Sequence, residues 1–135
     1  MKKDIDFGKV EDLAFAIVPE HDGTLPEEEW SVYLVNLKNE PIEGVIVAST
    51  GYGDLDGRKV KTSTLRQFFD RIASNEFVKV EMIEKQLFAL NNEFWISFWI
   101  NGKMFDKRYV FVTESISLEN FTQIPLMGKR GVMIK

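Results

Sequence analysis

The chain has no cysteine, a single histidine and four prolines among its 135 residues. The missing cysteine excludes disulfides, thiolate zinc sites, iron–sulfur ligation and a cysteine nucleophile together. It also suits a reducing compartment, so a cytoplasmic protein is expected. With one histidine, any Ser-His-Asp machinery would have to use His21. The nucleophile-elbow pattern G-x-S-x-G is missing, and the nearest string, Val47-Ala48-Ser49-Thr50-Gly51, lacks the first glycine. His21 lies in a polar stretch and is expected to be a solvated loop residue. Long apolar runs are absent as well. The best near the start, Leu13 to Val18, is short and stops at Pro19, so neither a signal peptide nor a membrane span is expected.

Nucleotide and metal signatures are equally thin. Gly51-Tyr52-Gly53-Asp54-Leu55-Asp56-Gly57 is spaced G-x-G-x-x-x-G, without the following helix that a phosphate cradle needs, and is expected to be a flexible glycine-rich loop. Asp54 and Asp56 begin like a calcium loop, but the later ligands and the closing glutamate of an EF-hand are missing. No cofactor and no metal are expected.

What is present is apolar and aromatic. Hydrophobic residues make up 44% of the chain and aromatic ones 13%, eleven of them Phe. That is enough apolar surface for one packed domain spanning residues 1–135, and the aromatic weighting favours strands. The net charge of −4 argues against a surface built throughout for polyanions.

Strands are expected at Leu13–Val18, Trp30–Leu37, Ile42–Ser49, Phe77–Ile83, Phe94–Ile100 and Lys103–Val112, after a loose charged lead-in over residues 1–12. The turn at Lys38–Pro41 is too short for a parallel crossover, so Trp30–Leu37 and Ile42–Ser49 are expected to pair as an antiparallel hairpin. Gly44 suggests a bulge or the close approach of another group. Residues 58–64 look like a polar edge strand. Leu65, Phe68, Phe69 and Ile72 then recur at helical spacing behind a Thr64/Gln67 capping box, which predicts a short helix over 65–73. The alternative is a strand that continues to about Phe69. Val132–Ile134 is a further edge-strand candidate. Six or seven short strands with at most one short helix make a mainly β domain, an antiparallel β-sandwich or partly open barrel, with the sandwich favoured.

The strongest local signal is Asn101-Gly102, whose residue types supply the positive φ values of a two-residue hairpin turn. The register then follows: Ile100 faces Lys103, Trp99 faces Met104, Ser97 faces Asp106 and Trp95 faces Arg108. Phe94, Ile96, Phe98, Ile100, Phe105, Tyr109 and Phe111 fall on a core face, with Lys103 and Lys107 at its margin. The other face carries Trp95, Ser97, Trp99, Met104, Asp106 and Arg108. The two tryptophans are ~13 Å apart along the strand, and Arg108 lies opposite one of them. Trp95, Trp99, Asp106 and Arg108 are therefore the candidate ligand-binding residues of a non-enzymatic binding module for a protein or a small ligand. The alternative is that another strand or loop covers this face and buries both indoles.

Arg58, Lys59, Lys61 and Arg66 form a basic stretch. Read as one strand, it places Arg58, Val60, Thr62, Thr64 and Arg66 on a common face. That motivates a rival expectation, an RNA-associated accessory domain, although charged edge strands also serve to block aggregation. A small enzyme using paired carboxylates is a third expectation, but no pair stands out by spacing among the 21 acidic residues. A homo-oligomer joined through a strand edge or the tryptophan face is a fourth.

Trp30-Ser31-Val32-Tyr33-Leu34-Val35-Asn36, Pro41-Ile42-Glu43-Gly44-Val45-Ile46-Val47, Lys61-Thr62-Ser63-Thr64 and Leu90-Asn91-Asn92-Glu93-Phe94 resemble a small bacterial family of about this length. The resemblance covers most of the chain and implies no established function. Some members of that family carry the name phenylalanyl-tRNA synthetase alpha subunit. The name does not suit this sequence. A class II synthetase core is far longer and needs an arginine in an F-R-x-E-type motif, whereas the nearest string here is Phe69-Asp70-Arg71. No aminoacylation residue is assigned.

Overall fold

The computed structural model describes residues 10–135, so most of the expected lead-in over residues 1–12 lies outside the described residues. Ten strands follow in order: β1 (Leu13–Pro19), β2 (Trp30–Asn36), β3 (Ile42–Leu55), β4 (Arg58–Lys61), β5 (Leu65–Ile72), β6 (Glu76–Ile83), β7 (Asn91–Ile100), β8 (Lys103–Phe111), β9 (Thr122–Ile124) and β10 (Lys129–Ile134). They make two five-stranded antiparallel sheets facing one another, not closed into a barrel. The first has the order β6-β2-β1-β10-β9. In the second, β8-β7-β3 is completed by β5 and β4, which share the far edge of β3. Among the described residues no helix is long and apolar enough to cross a membrane.

Strand β1 explains the unbroken apolar run at its position. It is central in its sheet, and both of its faces are covered. Leu13, Phe15 and Ile17 point into the main core beside Leu34, Phe94, Ile96 and Phe111. Ala14, Ala16 and Val18 join a second, smaller cluster with Val35 and Ile124 on the outer side. Phe15 stacks on Phe94 across the sandwich, with ring centroids 5.2 Å apart.

Two expectations are corrected. Strands β2 and β3 do not form a hairpin. β2 pairs with β1 and β6, whereas β3 pairs with β4, β5 and β7, so the connection at 38–41 crosses from one sheet to the other. A short connection excludes a parallel crossover but does not oblige its two strands to pair. The predicted helix over 65–73 is strand β5, paired with β3 from Ile42↔Ile72 to Ser49↔Leu65. Long-range pairing overrides the weak local periodicity. Thr64 caps nothing. Its hydroxyl meets that of Thr50 at 2.9 Å.

β5 crosses back into the first sheet as β6 at the same corner. A crossover leaves carbonyls without ladder partners, and a buried unpaired carbonyl is costly. Asn36, fully buried, resolves this. The two protons of its Nδ2 are shared among the carbonyls of Glu40 at 3.1 Å, Ile72 at 3.3 Å and Ala73 at 3.0 Å, and its Oδ1 accepts from the Lys38 N–H at 3.0 Å. Ser74 Oγ adds a bond to the Lys38 carbonyl at 2.6 Å. Asn36→Leu, which keeps the volume but removes these bonds, is expected to lower the unfolding free energy by about 1–3 kcal/mol, read as a lower urea midpoint with an unchanged m-value.

Candidate functional site: the outer face of the second sheet

The Asn101-Gly102 turn has φ values of +48° and +77°, both positive as the hairpin demands. The register runs Trp95↔Arg108, Ser97↔Asp106, Trp99↔Met104 and Ile100↔Lys103, as the sequence predicts. Phe94, Ile96, Phe98, Tyr109 and Phe111 are buried in the core. Lys103 and Lys107 fold their ammonium groups over Phe105 and Tyr109 at the margin, 5.3 and 4.7 Å from the ring centroids. The Tyr109 hydroxyl donates to the Leu13 carbonyl at 3.3 Å, and burial pushes its pKa up to about 12.

Among the described residues no strand covers the opposite face. Trp95 is 43% exposed and Trp99 45%. Arg108 lies over the Trp95 ring, 4.5 Å from its centroid, and its Nε is 3.5 Å from Glu93 Oε1. One carboxylate thus holds the guanidinium that stacks on the indole. Asp106 is exposed on the same face, opposite Ser97.

The register across β5, β3, β7 and β8 extends this surface beyond the hairpin. One row reads Arg66, Ala48, Trp95, Arg108; the next reads Phe68, Ile46, Ser97, Asp106. Phe68, Ile46 and Met104 are exposed together with the two tryptophans, making a contiguous apolar patch. Sequence reasoning missed Phe68 and Ile46, because reading 65–73 as a helix removed the strand that aligns them. Trp99 sits against Gly44, where the β3–β7 register slips by one residue. Gly44 has φ +55°, and a Cβ there would lie 3.0 Å from Trp99 Cδ1. The glycine therefore serves both the bulge and the seat of the indole.

The basic stretch does not form one stripe. β4 ends at Lys61 and β5 begins at Leu65. Alternation places Arg58 and Val60 opposite Leu55 and Gly53, on the other face from Lys59 and Lys61, which stand opposite Asp54 and Tyr52. Arg66 lies beside Ala48 on the tryptophan face, so Arg58 and Val60 do not share a face with Arg66 as expected. The Gly51–Gly57 stretch is not a loop. β3 runs through it to Leu55, and Asp56-Gly57, with φ +51° and +77°, is a second two-residue hairpin turn. The signal was the Asp-Gly dipeptide, the same kind that identified residues 101–102. His21 is an exposed loop residue whose backbone N–H donates to Glu28 Oε2 at 2.8 Å. Among the described residues no group of three metal-ligating side chains converges.

A second concave feature lies between the sheets, where β5 and β6 diverge from their shared turn. It is a cleft of about 210 Å³ whose lining includes Ser49, Thr62, Leu65, Glu81, Leu87 and Asn92. The β2–β6 register slips between Val32 and Tyr33, leaving Val80 without a partner and setting Glu81 opposite the inward-facing Val32. The bulge thereby turns a carboxylate toward the interior. Burial raises the Glu81 pKa, against the lowering effect of a bond from Ser49 Oγ at 2.8 Å. No feature of the sequence marked this residue, because Phe77–Ile83 reads as a regular alternation.

No protein-family model matches the chain, and no curated protein matches it.

Two variants test this geometry. Gly44→Ala forces a Cβ into the left-handed region at a cost of about 1–2 kcal/mol and displaces Trp99. In a Trp95→Phe background, where Trp30 is buried, the quenchable emission is that of Trp99 and should then become more accessible to acrylamide. For Glu81, ionisation is disfavoured in the folded chain relative to the unfolded one. Stability is therefore fully present below the ordinary glutamate value of 4.5 and is lost as pH rises through the raised value. Glu81→Gln retains an acceptor for Ser49 and carries no charge. It is expected to melt above the wild type at neutral pH, with the gap closing in acid, as followed by thermal scans across pH.

Proposed function

We propose that this domain is a non-enzymatic interaction module that engages a partner protein through the outer face of its second sheet. The observation that carries this reading is the contiguous patch of Ile46, Phe68, Trp95, Trp99 and Met104, exposed and aligned by strand register. Tryptophan, phenylalanine, methionine and arginine are the residue types enriched where protein surfaces meet, and Trp and Arg dominate their hot spots. Arg66 and Arg108 flank the Trp95 row. The matching partner presents an apolar patch ringed by charges of both signs.

The charge pattern favours a protein over RNA. Three cations of this face stand beside acids: Lys59 opposite Asp54, Arg108 against Glu93, and Arg71 at 4.0 Å from Glu43. Such pairing leaves little of the excess positive field that drives counterion release from a polyanion. The cysteine-free composition suits the reducing cytoplasm, where we place the module.

The test is face-specific. A purified partner, captured by a photo-crosslinker placed at Ser97, should bind the wild type. Trp95→Ala or Trp99→Ala should weaken that complex by about thirtyfold or more, with folding verified by circular dichroism. Lys79→Ala on the other sheet should bind as the wild type does. Equal binding by all four proteins would overturn the proposal. Light scattering that gives a dimer abolished by the same tryptophan variants would identify the partner as a second copy of the chain.

A further inference from the structure

We propose that the cleft between β5 and β6 binds a primary ammonium group carried on a short apolar stem, with the Glu81 carboxylate as its anchor. The site is independent of the tryptophan face.

The argument is an account of donors and acceptors. The Ser49 hydroxyl proton is given to Glu81 Oε1 at 2.8 Å. The Thr62 hydroxyl accepts from the Gly51 N–H at 2.8 Å and gives its proton to the Ser63 carbonyl at 3.0 Å. The Asn92 side chain spends its amide protons on the carbonyls of Leu87 at 2.9 Å and Leu90 at 3.2 Å. Among the described residues, Glu81 Oε2 and Asn92 Oδ1 accept no hydrogen bond. Ser49, Thr62 and Asn92 have therefore used their donors, while Glu81 and Asn92 keep unspent acceptors. A ligand that completes them must bring protons, and an ammonium group brings three.

Charge selects the ammonium over a hydroxyl. Among the described residues Glu81 forms no ion pair, and no lysine or arginine lines the cleft. The other acid at the rim, Glu93, is held by Arg108 at 3.5 Å. Charge-assisted bonds to a carboxylate are roughly twice as strong as neutral ones. The raised pKa of Glu81 is what a half-buried carboxylate without a cation shows, and a bound cation would reverse it. The remaining wall is apolar, made by Leu65, Ile83, Leu87 and Phe94. At about 210 Å³ the cleft is smaller than the ~300–1,000 Å³ of pockets for drug-sized ligands, which limits the stem to a few carbons. A free alkylamine and the end of a lysine side chain share this chemistry.

The test is a titration of the full chain, followed by amide NMR shifts at Ser49, Thr62, Leu65 and Asn92. The probes are n-butylammonium chloride, a blocked lysine peptide and n-butanol, all at constant ionic strength. Saturable shifts confined to the cleft are expected with n-butylammonium. Glu81→Gln, and n-butanol with the wild type, should bind about tenfold or more weakly. On the wild type, the affinity for n-butylammonium should fall as pH is lowered through the Glu81 titration, a measurement that requires no variant. If the lysine peptide binds at least as tightly as n-butylammonium, a protein lysine is the source; if it does not bind, a free amine is. Non-saturable shifts, equal binding of n-butanol, or pH-independent affinity would overturn the proposal.

Discussion

One buried amide, seconded by the Ser74 hydroxyl, ties together the two places where the chain changes sheets. Strand β2 gives way to β3 and β5 to β6 at one corner of the sandwich, and Asn36 spans both, bonding the Glu40 carbonyl in the first crossover and those of Ile72 and Ala73 in the second. Both crossovers are tight, so neither can satisfy its own backbone. An apolar residue at this position would bury carbonyls without partners. Fixing the corner also fixes the register that starts there. From Ile42↔Ile72 onward, β5 lies along β3 with Phe68 beside Ile46 and Arg66 beside Ala48. The aromatic face is assembled by that alignment, since only part of it belongs to the β7–β8 hairpin.

Two bulges then depart from regular alternation, and each re-aims one side chain. The slip at Gly44 accommodates Trp99 on the outside of the second sheet. The slip beside Tyr33 leaves Val80 unpaired and turns Glu81 inward from the first sheet. A bulge weakens its ladder locally, and both lie in strands otherwise paired along their length. The sandwich thus gives up ladder regularity where it positions an indole and a carboxylate.

The legible parts of this structure were those written in adjacent residues. Asn101-Gly102 fixed the turn chemistry, and from it the register of nine residue pairs and the shared face of Trp95, Trp99, Asp106 and Arg108 followed by alternation alone. Asp56-Gly57 carried the same signal but was masked by the neighbouring glycines Gly51 and Gly53, which suggested a loop. The illegible parts depended on distant partners. Whether Leu65–Ile72 coils or extends is decided by β3, more than fifteen residues upstream in every pair, and its own spacing pointed the other way. The destination of β3 could not be read from the short connection before it. Glu81 looked like a solvent-facing member of an alternating strand, because a one-residue slip leaves no trace in composition.

The corner pinned by Asn36 lies at one end of β5 and β6, and the cleft lies toward the other. The two strands behave like the arms of tweezers joined at Ala73–Asn75, with the Ser49–Glu81 bond spanning the gap farther along. At the open end the Ser49–Glu81 bond joins the sheets beside the buried packing of Val80, Ile83 and Phe94, while the closed end is held by the crossovers. The β3 strand that forms one wall of the gap also underlies the indole platform on its reverse side.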